Sequence, residues 1–555
     1  MTDFTDPIPA SVAELLGRMT TAEKIGQMTQ VEKNSITPAE VTALSIGSVL
    51  SGGGGNPKPN TPASWADMVR GFQEAALGSR LGIPLIYGVD AVHGHNNVHG
   101  ATMFPHTVAL GAAGDTDLVR RVARATALET AATGVRWDFA PMVSVVQDIR
   151  WGRAYEAFGD DTAAVTELSR AYLLGLQDAG DGLGLASPRA VLGTPKHYIG
   201  DGATLWGSSR MEMLDTRFRI DQGDMRVDEA TLRAKYLPPY AAAVADGALS
   251  IMPSFSSWNG VKMHGHHYLL TDVLKGELGF RGFLISDWQA VDQLDPDFAT
   301  AVAKSINAGL DMVMVPYDYR RFIDTLTAVV ARGDVAMSRI DDAVSRILSV
   351  KFTLGLFDSP HGDAPDLSLV GAAEHRALAR EAARRSMVLL SNDNGALPIS
   401  QDAQLVYVAG EAADNIGLQC GGWTIKWQGE TIRDLTPGTT LLAGLRAAAG
   451  PETKVHYDPV GGFEAAVDSA GRPLIADVAV ILLHETPYAE GLGDREDLGL
   501  SAEEVALLER ARTRAKRVVA VLVSGRPLII TEHLPLADAW VMAWLPGTEG
   551  EALAD

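Results

Sequence analysis

At 555 residues the chain exceeds a single ordinary core of roughly 100–200 residues, unless one unit is a large α/β barrel. Hydrophobic residues make up 46% and charged residues 21%, which excludes disorder and collagen-like structure and predicts a well-packed globular protein. Lys+Arg 47 against Asp+Glu 69 leaves a net charge of −22, a field that repels phosphate backbones and anionic lipid, so neither nucleic acid nor membrane is an expected partner.

The chain opens M-T-D-F-T-D-P-I-P, with two acids and no basic-then-apolar stretch, so no signal peptide is read there. The expectation is a cytoplasmic location, or a secreted or periplasmic one if a leader was removed ahead of this numbering. No apolar run approaches the ~18 residues of a membrane span. A leading helix is predicted from Thr20, whose spacing to Glu23 is that of a capping box, with Ile25 and Met28 on its apolar face. Apolar runs at 46–51, 83–90, 137–146, 190–197, 250–255, 283–288 and 311–316 then alternate with helix-period segments, some with clear caps such as Asp115 and Asp297. This pattern predicts a (β/α)8-like TIM barrel with one strand missed or irregular, in preference to a doubly wound sheet. The four glycines of Gly52–Gly55 read as a flexible loop, because the G-K-[ST] continuation of a phosphate cradle is missing.

Around 355–376 the segment G-L-F-D-S-P-H-G-D-A-P-D-L-S breaks the pattern and reads as a linker. The expected division is a barrel over 1–355, a linker over 356–376 and a second α/β domain over 377–555. Strands are predicted in the last at 386–391, 404–409, 476–483, 517–523 and 539–544, with a helix at 501–515.

Polar residues gather where the predicted barrel strands finish, and the C-terminal ends of parallel strands are where such folds place chemistry. Asp90, His93, His95, His99 and His106 form the densest cluster. Two readings stand: a metal site, or histidines that hydrogen-bond within the loop and orient Asp90. Asp287 ends an apolar run and precedes Trp288. That pairing suits sugar chemistry, a carboxylate beneath the ring and an aromatic face for its C–H surface, although a helix N-cap accounts for the Asp equally. Trp423 and Trp427, four apart in a Gly-rich loop, suggest a stacking platform or interdomain packing. In H-E-T-P-Y-A-E-G-L-G-D-R-E-D the carboxyls of Glu485, Glu490, Asp494, Glu496 and Asp497 form a solvated acidic loop, or one of them faces the barrel mouth as a proton donor with raised pKa. Serine and thiol hydrolysis find no support: there is no G-x-S-x-G, and the single cysteine, Cys420, has no base beside it in sequence.

These residues resemble glycoside hydrolase family 3, in its branch of β-D-glucan glucohydrolases, exo-1,3/1,4-β-glucanases and broad β-glucosidases. The resemblance rests on ordered segments across nearly the whole chain, among them I-Y-G-V-D-A-V-H-G-H-N-N-V (86–98), D-I-R-W-G-R-A-Y-E (148–156), P-K-H-Y-I-G-D-G (195–202), G-F-L-I-S-D-W (282–288), G-G-W-T-I-K-W-Q-G (421–429) and P-Y-A-E-G-L-G-D (487–494). It implies a (β/α)8-like barrel followed by a six-stranded α/β sandwich, with the active site between them and no metal or organic cofactor. Asp287 becomes the nucleophile and Glu490 the general acid/base of a retaining mechanism. Asp90, Arg153, Lys196 and His197 match positions that bind the hydroxyls of the terminal glucose. Trp288 and Trp427, with Trp423 beside them, match an aromatic clamp on the next sugar. The expected substrate is a small neutral β-glucoside or gluco-oligosaccharide. Phe255 stands where plant relatives have Tyr, and D-Q-G-D-M-R (221–226), with Gln222 and Asp224, replaces a plant segment bearing a Glu. A β-N-acetylglucosaminidase, a β-xylosidase and a non-catalytic sugar-binding protein are the alternatives. The last segment, W-L-P-G-T-E-G-E-A-L-A-D, stops inside a stretch that the family normally continues.

Overall fold

The computed structural model describes residues 9–362 and 366–555. The residues read for a leader (1–8) and part of the expected linker (363–365) lie outside the described residues.

In the first half, β1 (Thr29–Glu32), β2 (Ser48–Ser51), β3 (Ile86–Val89), β4 (Trp137–Asp138), β5 (Leu192–Gly193), β6 (Lys196–Tyr198), β7 (Ser250–Pro253), β8 (Phe283–Leu284) and β9 (Val313–Met314) are all parallel where they pair. One sheet runs β9-β1-β2-β3-β4-β5 and a second β8-β7-β6. Parallel bridges Met142–Lys196 and Ile285–Met312 join the two into a closed barrel. β5 and β6 are two pieces of one stave, the run 190–197 of the sequence reading. The stave not foreseen is β1, T-Q-V-E. It is wholly buried, but its polar residues hide the pattern: Gln30 donates to Ser48 Oγ at 2.8 Å, and Ser48 Oγ donates to the Ile86 carbonyl at 2.8 Å. Such pairing is what lets polar side chains fill a barrel interior.

Helices begin where their caps predict. Thr20 and Glu23 form a reciprocal capping box ahead of Thr21–Gln27, while Asp115 and Asp297 accept from the N–H groups of Leu118 and Thr300 at 3.0 Å each. Among the described residues no helix is long and apolar enough to cross a membrane.

The second half holds β10 (Val388–Asn392), β11 (Leu405–Ala409), β12 (Lys454–Tyr457), β13 (Val478–His484), β14 (Val518–Val523) and β15 (Ala539–Met542). Their order is β10-β15-β14-β13-β11-β12, with only β10 antiparallel. Alternate residues serve opposite faces. Val406, Val480 and Val521 pack with Leu441 and Leu442, and Tyr407, Ile481 and Leu522 pack with Leu507 and Leu508. An α/β sandwich results. The unforeseen strand is the edge strand β12, whose residues are only partly buried, so it lacks the continuous apolar run of its neighbours.

A buried ionic cluster closes the barrel where β9 begins. Asp311 accepts from Lys275 at 2.8 Å on both oxygens, from the Leu284 N–H at 2.8 Å and from Arg339. Replacing Asp311 with Ala leaves Lys275 in the core without its carboxylate, and Arg339 with Asp342 as its remaining one, and should cost about 3–5 kcal/mol. The check is a denaturation midpoint, with Asp311→Leu/Lys275→Met recovering much of the loss.

Candidate active site

Loops from both halves meet at the C-terminal ends of the barrel strands. Asp90 follows β3, Lys196 and His197 lie in β6, and Asp287 follows β8. From the sandwich come two loops, one carrying Trp423 and Trp427, the other carrying Glu490 after β13.

The Asp287 carboxyl is buried. Its Oδ1 accepts from the Trp288 N–H at 2.6 Å, its own N–H donates to His264 Nε2 at 2.9 Å, and its Oδ2 has no hydrogen-bond partner. His197 Nε2 lies 3.7 Å from Oδ2. Burial pushes the carboxyl up to about 6, against the pull of Arg153, the Trp288 N–H and Lys196. His197 is held through Nδ1 by Asp201 Oδ2 at 2.8 Å, and Asp201 in turn accepts from Ser144 Oγ at 2.5 Å. Burial and the neighbouring cations Arg153 and Lys196 lower the His197 pKa, so its ring is neutral near pH 7.

Glu490 lies against Arg153, Nη1 to Oε1 at 3.3 Å. Arg153 is itself clamped by Glu156 through two bonds of 2.9 Å. Burial raises Glu490 to about 7. Arg153 opposes the rise, and the charge of Asp287 adds to it. Lys196 pairs with Asp90 at 2.9 Å. Trp423 is buried, its ring centroid 6.0 Å from the Arg153 guanidinium carbon and 5.8 Å from Lys196 Nζ, while Trp288 and Trp427 stay half-buried. The Gly52–Gly55 run, expected to be a flexible loop, is instead a close-packed seat for these tryptophans. A Cβ on Gly52 would lie 3.0 Å from the Trp288 ring, and one on Gly53 would lie 2.6 Å from Trp427 Cα. Phe255 stands half-buried with its ring centroid 6.0 Å from that of His264. Its carbonyl accepts from Lys262 Nζ at 2.6 Å, and Lys262 also donates to Gln293, which donates to Gln222 Oε1. Gln222 thus joins the polar network beside Phe255.

The reading of hydrogen bonds within the loop holds for His93, whose Nδ1 lies 2.9 Å from the Phe104 carbonyl, but the histidines also do work that neither reading foresaw. His106 Nε2 lies 3.0 and 3.1 Å from the carbonyls of Cys420 and Gly422, His93 Nε2 lies 3.2 Å from Thr424 Oγ1, and the two rings stack at 3.8 Å. They seat the tryptophan loop of the sandwich on the barrel. Asn96 completes the seat, donating to the Trp423 carbonyl at 2.6 Å and accepting through its own carbonyl from the Ile425 N–H at 2.8 Å. It is Asn97, donating to the Asp90 carbonyl at 3.1 Å, that orients Asp90. Among the described residues no three His, Cys, Asp or Glu side chains are grouped to hold a metal ion. Cys420 is buried and its thiol pKa raised by that burial.

The Glu490 loop is held from every side. Asp494 Oδ2 accepts from the backbone N–H groups of Arg219, Ile220 and Asp221 at 2.8, 2.7 and 2.9 Å, and Oδ1 accepts from that of Gly152 at 3.0 Å. Fully buried Arg526 donates to Tyr488 Oη at 2.8 Å, to the Gly493 carbonyl at 2.7 Å and, across the domain boundary, to the Arg150 carbonyl at 3.0 Å. Gln428 pairs with both backbone groups of Ala489, at 2.9 and 3.1 Å. Gly152 permits the approach, since a Cβ there would lie 1.8 Å from the Glu490 carbonyl oxygen. Glu485 is consumed by Ser524, Tyr488 and Arg526, while Glu496 and Asp497 are exposed. Glu156, Asp201 and Arg526 do not stand out in the sequence, and Asp494 is there only one acid among several. Only the i,i+3 spacing of Arg153 to Glu156 and the i,i+4 spacing of His197 to Asp201 carry a usable signal.

Residues 20–350 match the glycosyl hydrolase family 3 N terminal domain, and residues 387–555 match the family's C-terminal domain. The chain belongs to glycosyl hydrolase family 3 and is a glycoside hydrolase by descent. It is 35% identical to the lysosomal beta glucosidase of Dictyostelium discoideum, over 97% of this chain and 69% of that protein. It is 30% identical to the periplasmic beta-glucosidase of Salmonella typhimurium, over 98% and 72%. The crystal structure of an exo-1,3/1,4-beta-glucanase from a Pseudoalteromonas species superposes with a TM-score of 0.89 at 38% identity, covering 99% of this chain and 68% of that one. A beta-glucosidase from Listeria innocua, solved with isofagomine, gives 0.83 at 30% identity, covering 99% and 74%.

The four N–H groups on Asp494 give a direct test. Asp494→Ala should lower turnover of alkyl β-glucosides by about 10²-fold, the size of a misplaced proton donor, with a much smaller loss on 2,4-dinitrophenyl β-glucoside. Steady-state kinetics on the two substrates check it.

Proposed function

We propose that the protein is an exo-acting, retaining β-glucosidase that removes terminal non-reducing β-D-glucose from β-glucosides and short gluco-oligosaccharides. The observation that carries this reading is the pair of buried carboxyls, Asp287 from the barrel and Glu490 from the sandwich, both raised in pKa and both under the charge of Arg153. In the reaction Asp287 attacks the anomeric carbon while Glu490 protonates the departing oxygen. Water, deprotonated by Glu490, then hydrolyses the glycosyl-enzyme. The role assignments fit the local bonding. Asp287 Oδ2 is free of hydrogen bonds and able to act as a nucleophile. Glu490 is raised to about 7, so a substantial fraction of it keeps a proton to donate near neutral pH.

The hydroxyls of the terminal glucose are bound by Asp90, Lys196, Arg153 and His197. Charge-assisted bonds from these groups discriminate more sharply than neutral ones and strengthen as charge develops in the transition state. Trp288 and Trp427, set side by side through Gly52 and Gly53, take the next sugar by stacking, with Trp423 behind them and Phe255 at the margin. Stacking is less directional than hydrogen bonding, so more than one linkage is accommodated. The relatives named beta-glucosidase and exo-1,3/1,4-beta-glucanase support the same substrate class. A β-xylosidase of Formosa agariphila, 32% identical over 84% of this chain, keeps the pentoside as the alternative to test.

Comparing 4-nitrophenyl β-glucoside, β-xyloside and β-N-acetylglucosaminide should give highest kcat/KM with the glucoside. Preference for another glycone overturns the specificity, and absence of turnover overturns the activity. Asp287→Ala should reduce kcat by about 10³-fold or more on every substrate. Glu490→Ala should cost about 10²–10⁴-fold on alkyl glucosides and far less on dinitrophenyl glucoside. The pH profile of kcat/KM should be a narrow bell. It falls below about 6 as Asp287 gains a proton and above about 7 as Glu490 loses one. The alkaline limb should vanish in Glu490→Gln assayed on dinitrophenyl glucoside.

A further inference from the structure

Tyr317 is the one aromatic among the strongly exposed large hydrophobic side chains of the described residues, with 56% of its surface open. It lies at the active-site pole, shortly after β9, and its ring packs edge-to-face against Trp288 with centroids 5.6 Å apart and planes at 77°. The arrangement is fixed from both sides. The Pro316 carbonyl accepts from the Glu32 N–H at 3.2 Å, the Met314 carbonyl accepts from the Gln289 N–H at 3.3 Å, and a helix begins at Tyr319. The ring is therefore exposed on a rigid mount and not on a wandering loop. Leaving an aromatic face in water is unfavourable, and at the rim of a sugar site such a face has a use.

Arg321, on the helix that follows Tyr317, stacks its guanidinium carbon 3.9 Å from the centroid of the Phe298 ring. Arg321 Nη1 lies 3.8 Å from Asp292 Oδ1 and 3.9 Å from Asp318 Oδ2, both beyond hydrogen-bond length. Asp292 comes from the same loop as Trp288, and Asp318 and Arg321 come from the turn and helix that follow Tyr317. Going outward from the nucleophile the order is Asp287, Trp288, Tyr317, and the second ring adjoins the first on its solvent side.

We propose that Tyr317 forms a further sugar-binding position beyond the Trp288–Trp427 clamp, taking the third unit, counted from the non-reducing end, of a neutral gluco-oligosaccharide. This rests on the β-glucosidase reading given above. It makes the protein sensitive to chain length, favouring trisaccharides and longer chains over disaccharides. A purely mechanical role for Tyr317, propping Trp288, predicts a different pattern, because the clamp serves the second unit.

The test is kcat/KM for 4-nitrophenyl β-glucoside, laminaribiose, cellobiose, laminaritriose and cellotriose in wild type, Tyr317→Ala and Tyr317→Phe. Tyr317→Ala should leave the aryl glucoside and the disaccharides within about twofold and lower at least one trisaccharide about five- to tenfold through KM, the worth of one stacked ring. Tyr317→Phe, which keeps the face, should restore most of that loss. Equal losses on di- and trisaccharides would assign Tyr317 to propping Trp288 and overturn the proposal. So would unchanged values throughout. Absence of wild-type turnover on every glucoside is a separate result, and it overturns the β-glucosidase reading itself.

Discussion

The buried guanidinium of Arg153 is the constraint on which the site depends. It is fully committed on one edge to Glu156 and reaches Glu490 on the other, and its charge lowers the pKa of both Glu490 and Asp287 against their burial. Without it the two buried carboxyls would be pushed further toward the neutral form. With it, burial and charge nearly balance, and both carboxyls titrate close to neutral pH, at about 6 and about 7. Acid–base chemistry near neutral pH follows from that balance.

Arg153 belongs to the barrel and Glu490 to the sandwich, so the balance exists only when the two are docked. The docking combines apolar packing, with Val92 and Tyr155 of the barrel in the sandwich core, and a set of directed hydrogen bonds. Asp494 gathers four backbone N–H groups, Arg526 bonds carbonyls on both sides, and His93, His106 and Asn96 bind the tryptophan loop. Apolar packing alone would hold the domains together but tolerate sliding. Hydrogen bonds to backbone groups fix register to fractions of an ångström, which proton transfer requires. Under the roles proposed for Asp287 and Glu490, these interdomain hydrogen bonds serve the reaction by position alone.

Much of this is legible along the chain. Alternating apolar runs and capped helices point to a barrel, and carboxylates at run ends point to its active pole. Two strands escape such a reading because their environment, not their own residues, makes them strands. β1 is buried through the pairing of its Gln30 with Ser48 of β2, and β12 lies at a half-exposed edge. The histidine cluster misleads for a related reason. Four imidazoles close in sequence suggest a metal or a loop network, but His106 finds its partners in carbonyls 314 and 316 residues away.

What the sequence by itself determined was the chemistry available: Asp287 and Glu490 as carboxyls at loop positions, cations and tryptophans near them, and the two-part α/β architecture. These follow from local periodicity and residue type, which need no knowledge of distant contacts. Residue type alone left the carboxyls of the acidic loop equivalent and the family resemblance singled out Glu490; the tertiary structure supplies the physical reason, spending Glu485 on Arg526 and Asp494 on backbone amides and leaving Glu490 against Arg153. It also decided the pKa order, the close seat of the tryptophans on Gly52 and Gly53, and the exposure of Tyr317. Burial and long-range electrostatics set all of these, and both depend on atoms that the fold, and not the chain order, brings together.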